Sequence, residues 1–435
     1  MIYREEKKFN KVTISLGGNF SRYFSKPNYT IKLRGGDELY GLTQFKLRAD
    51  CNDPTLLRSK LISDIHSRLG LTSVSSSFCL LYINGEFMGV YLLNDTYKLS
   101  WIKYVYDDED STTLYKCDSM KEITASLWEG CSNENEEVTD HTEWINFLKA
   151  VDNATSAADL EDIFEVDHFL AEMALDYLLG SWDHLQSGHN FFMYKKPNSN
   201  DDEDNKNENE NKYLISSGSR KKNGKWIYLS QDFDHDFGQS PCEIEDTFSD
   251  YTLKLHIIDI LILQDPSRFL NILKKIIIST FNSSVLDNYI DELKSFIEPY
   301  IVIDKTPDNE GNYPGRINSG LDDFYTLEEW SSNIEYNMIS RNNRIYGLKF
   351  WVLAKQNFVC NYYELECDSN SLSSISDTPT STPAVIEPTS VVEECWSENL
   401  GYHCCERCES VYQDEDGIWG IENDEWCGIP YSCQE

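Results

Sequence analysis

Positive charge is scarce in this chain. Its 38 Lys and Arg face 74 Asp and Glu, a formal net charge of −36 over 435 residues. A phosphate backbone needs a basic surface, and so does an anionic membrane, so the composition argues against nucleic acid and against lipid surfaces as partners. Long apolar runs are missing as well. The longest, around Leu255 to Leu263, is broken by His256 and Asp259, which excludes a membrane span. The opening MIYREEKKF has no apolar h-region and does not read as a signal peptide.

Cysteine is the exception to this scarcity. Six of the 13 crowd into the last 41 residues: Cys395, Cys404, Cys405, Cys408, Cys427 and Cys433. That density predicts a small disulfide-stapled module and an oxidising compartment, hence a secreted protein whose signal peptide is not in this chain. The spacing leaves the pairing open among fifteen possibilities. Five Asn-x-Ser/Thr sequons, at Asn19, Asn28, Asn94, Asn153 and Asn282, are compatible with glycosylation. The chain divides by composition into a globular body over 1–358, a Ser/Thr/Pro-rich linker over 359–394 and the Cys-rich module over 395–433. Residues 197–212, PNSNDDEDNKNENENK, can bury nothing and read as a disordered acidic insertion in the body.

The body reads as α+β, with a β-rich first part and a helical second part. Strands are expected at Val12–Leu16, Tyr29–Leu33, Gln44–Leu47 and Phe78–Ile83, with Asn84-Gly85 as a hairpin turn into Phe87–Leu93. Between them a helix carries Leu57, Leu61, Ile65 and Leu69 on one face, with Asp53 as N-cap, Pro54 at its first position and Gly70 after it. Further helices are expected at Leu160–Leu179, Pro266–Thr280, Val285–Tyr300 and Leu327–Leu353, and strands at Asn190–Tyr194 and Lys225–Ser230.

Three places concentrate chemistry. Gln231-Asp232-Phe233-Asp234-His235-Asp236-Phe237-Gly238 follows a strand and spaces three acids at i, i+2 and i+4 between two Phe anchors. Such carboxylates repel unless a cation offsets them, and hard oxygen donors suit Mg²⁺. The loop Ser181-Trp182-Asp183-His184-Leu185-Gln186-Ser187-Gly188-His189-Asn190 places an Asp and an Asn seven residues apart, spacing that can supply a base and a metal ligand as in protein kinases. Lys26, Lys32, Arg34, Lys46, Arg48 and Arg58 form a local basic excess. Alternation puts Lys32 with Arg34, and Lys46 with Arg48, on single strand faces that could hold phosphate.

These stretches resemble the CotH family of spore-coat and fungal proteins. The matching pieces are GGNFSRYFSKPNYTIKL (17–33), FKLRADCNDPTLLRSKLISDIHSRLGL (45–71), LYINGEFMGVYLL (81–93), GSWDHLQSGHNFFMYK (180–195), LSQDFDHDFG (229–238) and Ile339-Ser340-Arg341. The resemblance implies an atypical protein-kinase-like two-lobe fold and transfer of the ATP γ-phosphate to protein Ser or Thr with Mg²⁺ or Mn²⁺. By it, Asp183 is the catalytic base and Asp232, Asn190 and Asp234 are metal ligands. Lys32, with Lys46 as its rival, meets the phosphate. The chain reads Gly17-Gly18-Asn19, Lys26-Pro27 and Asn94-Asp95 where the family has Arg-Gly-Asn, Lys-Lys and a Glu. A non-catalytic adhesin or binding protein is therefore the alternative.

The tail resembles a second family, the fungal dockerins of anaerobic fungal cellulosomes, through Cys395-Trp396-Ser397-Glu398, GYHCCERC (401–408) and DEDGIWGIENDEWCGI (414–429). That resemblance implies an extracellular place on a cohesin-bearing scaffold protein. Tyr402, Trp419 and Trp426 are the candidate contacts, since exposed aromatics carry most interface energy. Twelve acids and one Arg over 393–435 call for a basic partner face.

Overall fold

Tyr29-Thr30-Ile31-Lys32-Leu33 alternates apolar and polar residues and forms a strand whose two ends are buried. In the computed structural model this strand, β2 (Tyr29–Leu33), lies between β1 (Val12–Leu16) and β3 (Gln44–Arg48) in an antiparallel five-stranded sheet of order β1-β2-β3-β5-β4. The other two members are β4 (Ser76–Ile83) and β5 (Glu86–Asn94), joined by the Asn84-Gly85 turn. The structure describes residues 6–367 except 19, 198–223, 240, 322–323 and 341–343. Beyond 367 it describes only 397, 405 and the strand segments 412–413, 418–422 and 425–428. Nearly all of the acidic insertion, most of the linker, and Arg341 lie outside the described residues.

Helix α1 (Arg58–Leu69) packs Leu61, Ile62, Ile65 and Leu69 into the core and closes on Gly70. Its start differs from expectation. Leu56 takes a left-handed backbone, φ 57°, so Pro54 stands in a turn before the helix and Leu57 occupies the cap position. Asp53 still serves the terminus, accepting the Arg58 N–H at 2.9 Å and the Thr55 N–H at 2.8 Å. After α2 (Leu99–Tyr106) comes a second antiparallel sheet, ordered β7-β6-β8-β9. It comprises β6 (Leu114–Cys117), β7 (Cys131–Asn133), β8 (Phe191–Lys195) and β9 (Trp226–Ser230), and a disulfide joins Cys117 to Cys131 across the first two.

Helix α3 (Thr142–Asn153) precedes α4 (Val166–Leu179), in which every residue but Asp167 is buried. The expected start at Leu160 is not reached, because the Ile163 carbonyl accepts the Trp226 N–H and the Glu165 N–H donates to the Trp226 carbonyl, instead of both serving a helix. The remaining helices are the short α5 (Phe248–Tyr251) and α6 (His256–Ile258), then α7 (Ser267–Ser279), α8 (Ser283–Asp304), α9 (Leu327–Ser332) and α10 (Leu348–Tyr362). The single helix expected over Leu327–Leu353 is two helices with a hairpin, β10 (Met338–Ser340) and β11 (Arg344–Tyr346), between them. Its apolar spacing runs through Asn333 and Asn337, whose carbonyls meet the N–H groups of Leu348 and Gly347 and turn the chain back. A Cys360–Cys367 disulfide ties the last turn of α10 to the segment after it. Among the described residues no helix is long and apolar enough to cross a membrane.

The segment 376–435 forms a separate unit. Its described part is an antiparallel sheet of β12 (Tyr412–Gln413), β13 (Ile418–Glu422) and β14 (Glu425–Gly428), with a disulfide between Cys405 and Cys427.

One side chain ties the first sheet's helix to the rest of the body. Arg58 is fully buried. Its Nη1 pairs with Asp53 Oδ1 at 2.5 Å, its Nη2 donates to Asn333 Oδ1 and the Tyr346 carbonyl, each at 3.0 Å, and its Nε donates to the Asp236 carbonyl at 2.9 Å. Removing one partner of a buried ion pair strands the other charge, at a cost of about 3–5 kcal/mol. Arg58→Met is therefore expected to lower unfolding free energy by about that amount in urea titration, whereas exchanging exposed Arg34 for Met leaves it within about 0.5 kcal/mol.

Candidate functional site

The antiparallel register of β8 and β9 pairs Phe191 with Ser230. This brings the residues just outside that pair, Asn190 on one side and Gln231-Asp232 on the other, to the same end of the second sheet. A backbone hydrogen bond from Gln231 N–H to the Asn190 carbonyl, 3.0 Å, joins the two loops there. Asn190 and Asp232 both have left-handed backbones, φ 58° and 76°, an uncommon conformation outside glycine that recurs at functional sites. Phe233 and Phe237 are buried and anchor the acidic loop, as their alternation with the acids implies. Gly238 closes it with φ 69°, and a side chain there would lie 2.0 Å from the Trp351 ring.

A cleft of about 680 Å³ opens between this end of the second sheet and β3 of the first. Gln44, Lys46 and Arg48, one face of β3, line it with the Gly17-Gly18 turn. Asp183, Asn190, Asp232 and Asp234 line the opposite wall, so four of the expected site residues converge with Lys46. Lys32 does not join them. It pairs in register with Gln44, two residues further along β3 from Arg48 than Lys46 is, and lies outside the lining. The rest of the expected basic cluster disperses. Lys26 is buried against Asp304 at 2.6 Å, Arg58 takes the role given above, and Arg34 donates to Thr13 on the surface. Lys98, Lys116 and Asp118 line the cleft without having been singled out from the sequence.

Asn190 Nδ2 donates to Asp183 Oδ2 at 2.9 Å and to its carbonyl at 3.0 Å, which fixes the carboxylate. His189 Nε2 lies 3.1 Å from the other oxygen. Burial raises the Asp183 carboxyl above its ordinary value, and His189, His235 and His184 only partly oppose this. Asp232 is opposite in sign: burial would raise it, but Arg48 and Lys46 outweigh that and hold it ionised, well below the usual range. Asp234 is pushed up by burial to about 7, with Arg48 and His235 opposing. Lys46 is half-buried, and burial lowers its ammonium against the pull of Asp232. No ion pair of Lys46 occurs among the described residues.

Among the described residues no three His, Cys, Asp or Glu side chains converge into a preformed metal cage. The donor set does fit Mg²⁺ or Mn²⁺, ions that bind through one or two carboxylates and complete their shell with water and phosphate oxygens. Asp232, Asn190 and Asp234 are the residues that would hold such an ion.

Behind the cleft lies a network that the sequence reading missed. His168, Glu172 and Asp176 form an i, i+4, i+8 stripe down the otherwise apolar, buried α4. Glu172 stands 3.5 Å from His66 and 3.4 Å from His168, and accepts the Ser230 hydroxyl at 2.5 Å. Asp176 Oδ1 holds His184 Nδ1 at 2.9 Å. Three polar residues at that spacing on an apolar helix are the signal that could have exposed it. Burial would lower His184, but Asp176, then Asp236 and Asp183, raise it to about 10. Burial likewise raises Asp236 to about 8, against His184.

Of the tail candidates, Trp419 lies on β13 and Trp426 on β14, in register with Gly428 and Ile421 respectively. Tyr402, Cys395, Cys404, Cys408 and Cys433 lie outside the described residues; Cys405 and Cys427 are paired. Asn282 is buried and caps α8 by accepting the Val285 N–H at 3.0 Å, so this sequon is not available to a glycan.

The His184 environment fixes a sign for pH dependence. Its folded value lies above the ordinary 6.5, so its stabilisation is complete below that pH and is lost as pH rises towards 10. Asp236, raised from 3.8 to about 8, also loses stabilisation as pH rises. The wild-type melting temperature is expected to fall by several degrees between pH 7 and pH 10, and that of His184→Gln to fall distinctly less. Parallel curves would contradict the pairing.

Residues 14–336 match the family model described as CotH kinase protein, and residues 394–429 match that of a cellulose or protein binding domain. Invasin CotH3 of Rhizopus delemar is 24% identical over 414 residues, covering 86% of this chain and 64% of the relative. Inner spore coat protein H of Bacillus subtilis is 26% identical over 207 residues, 45% of this chain and 56% of that protein. Endoglucanase B of Neocallimastix patriciarum is 58% identical over 41 residues, 9% of each chain. The chain thus spans less than two thirds of the length of the CotH relatives it matches. With the family model running from β1 through α9, the chain belongs to the CotH kinase protein family.

Proposed function

We propose that the body is a secreted, atypical two-lobe kinase that transfers the γ-phosphate of ATP to Ser or Thr of a protein. The observation that carries this reading is the convergence of Asp183, Asn190, Asp232 and Lys46 on one cleft. Asp183 accepts the hydroxyl proton of the acceptor; its raised carboxyl makes it a stronger base than an exposed Asp. Asn190 holds that carboxylate in place. Lys46 offers to phosphate an ammonium with no ion pair among the described residues, a role its position in the cleft lining serves better than that of Lys32. Asp232, with Asn190 or Asp234, holds Mg²⁺ or Mn²⁺, which when bound offsets phosphate charge.

The test is thermal shift with Mg·ATP and transfer of labelled phosphate to casein. Wild type is expected to gain several degrees and to label the substrate. Asp232→Ala is expected to lose the shift, and Asp183→Asn to keep the shift while losing transfer by about 10²-fold or more. A wild type without an ATP-dependent shift contradicts the reading. A shift without transfer in wild type supports the second reading, a non-catalytic binding protein, which the name "invasin" of one relative favours.

We further propose that the tail is a dockerin, tethering the body to a cohesin-bearing scaffold of an extracellular cellulosome. Its support is the binding-domain match over 394–429, together with a 41-residue stretch 58% identical to part of an endoglucanase. The matched family covers binding of cellulose or of protein, so the measurement sets one against the other. The full chain is expected to bind immobilised scaffold cohesin with a submicromolar Kd and to remain in the supernatant when crystalline cellulose is sedimented. Truncation after 392 abolishes the first interaction. Retention on cellulose with no cohesin binding contradicts the proposal.

A further inference from the structure

We infer that Arg48 is a positioning residue that serves as a built-in cation, so that the cleft accepts one divalent ion where its carboxylates alone would draw two. The inference rests on the metal-dependent reading above and concerns how that site is limited.

Arg48 is buried on β3, and its guanidinium meets three carboxylates at once. Nε donates to Asp50 Oδ1 at 2.6 Å, Nη1 pairs with Asp232 Oδ1, and Nη2 lies 3.0 Å from Asp234 Oδ1. The second oxygen of Asp50 accepts the Ser59 hydroxyl at 2.6 Å, so α1 fixes the orientation of the whole fan. A guanidinium suits this place because its donors lie in one plane at fixed angles and it does not lose its proton. A lysine ammonium, a point charge on a flexible stem, cannot meet three carboxylates in that arrangement.

The consequence follows from charge and from oxygen count. One oxygen each of Asp232 and Asp234 is committed to Arg48, which leaves their other oxygens for a single ion. A second divalent ion bridging the two acids would need the committed oxygens. It would also lie against a fixed positive charge in a poorly screened site, with Lys46 adding another on the same strand face. Without Arg48 that barrier disappears and the acids repel one another unrelieved, the condition that draws additional cations.

The test counts Mn²⁺ bound to the full-length protein at neutral pH without nucleotide, read as loss of the free-ion electron paramagnetic resonance signal. Asp232→Asn serves as the reference for ions scattered on the acidic surface; sites absent from it are cleft sites. Wild type is expected to hold one cleft ion, Arg48→Met two, and Arg48→Lys one with affinity reduced about tenfold. Two cleft ions in wild type, or the same count and affinity in Arg48→Met, overturn the inference while the metal-dependent reading stands. Equal binding by wild type and Asp232→Asn overturns that reading and this inference with it. Near-UV circular dichroism checks each variant's fold. Should Arg48→Met fail to fold, the wild-type count and Arg48→Lys decide.

Discussion

Carboxylates repel, and this protein gathers them where water is scarce. Two ionised groups 4 Å apart at an effective dielectric of 20 oppose each other by about 4 kcal/mol, a large share of a domain's whole stability. Asp50, Asp183, Asp232 and Asp234 stand around one cleft, with Asp176 and Asp236 buried outside its lining. The arrangement persists because cations are set among them: Arg48 for Asp232, Asp234 and Asp50, His189 beside Asp183, and His184 for Asp176 and Asp236. Arg58 secures the same loop from behind through the Asp236 carbonyl. These cations come from β3, from the loop after α4 and from α1, so the acid cluster holds separate parts of the fold to a common point.

That constraint explains what the sequence does and does not disclose. β1 and β2 were legible residue for residue because their alternation is local, and the turn at Asn84-Gly85 needs only its own two residues. The acidic loop was legible because Phe233 and Phe237 alternate with its acids, and both are buried. The partners of those acids were not. Arg48 read as part of a basic strand face, and nothing local separates it from Lys32 or Arg34; only tertiary structure sends one to a carboxylate fan and another to the surface. The α4 stripe of His168, Glu172 and Asp176 was present as a spacing but lay within a strong apolar helix signal.

Two misplacements have physical causes of the same kind. The continuous helix expected over 327–353 satisfied apolar periodicity, but Asn333 and Tyr346 are required where they can receive Arg58, and a hairpin is what brings both there. Asp53 looked like a helix cap and does bind the helix's first N–H, yet a left-handed Leu56 separates it from the helix. In each case the local pattern was right and a long-range polar contact redirected it. Membership in the CotH kinase protein family accounts for the body, and a cellulose or protein binding domain for the tail. Each unit has its own disulfides, Cys117–Cys131 and Cys360–Cys367 in the one and Cys405–Cys427 in the other.

The central claim is that β3 and the two loops form one cation-balanced cleft for a metal nucleotide. A crystal structure of the full-length protein grown with Mn²⁺ and a non-hydrolysable ATP analogue tests it most directly. An anomalous Mn²⁺ peak is expected within about 2.5 Å of an Asp232 oxygen, with the terminal phosphate between Lys46 and Asp183. Nucleotide bound elsewhere, or Mn²⁺ remote from Asp232, would contradict it.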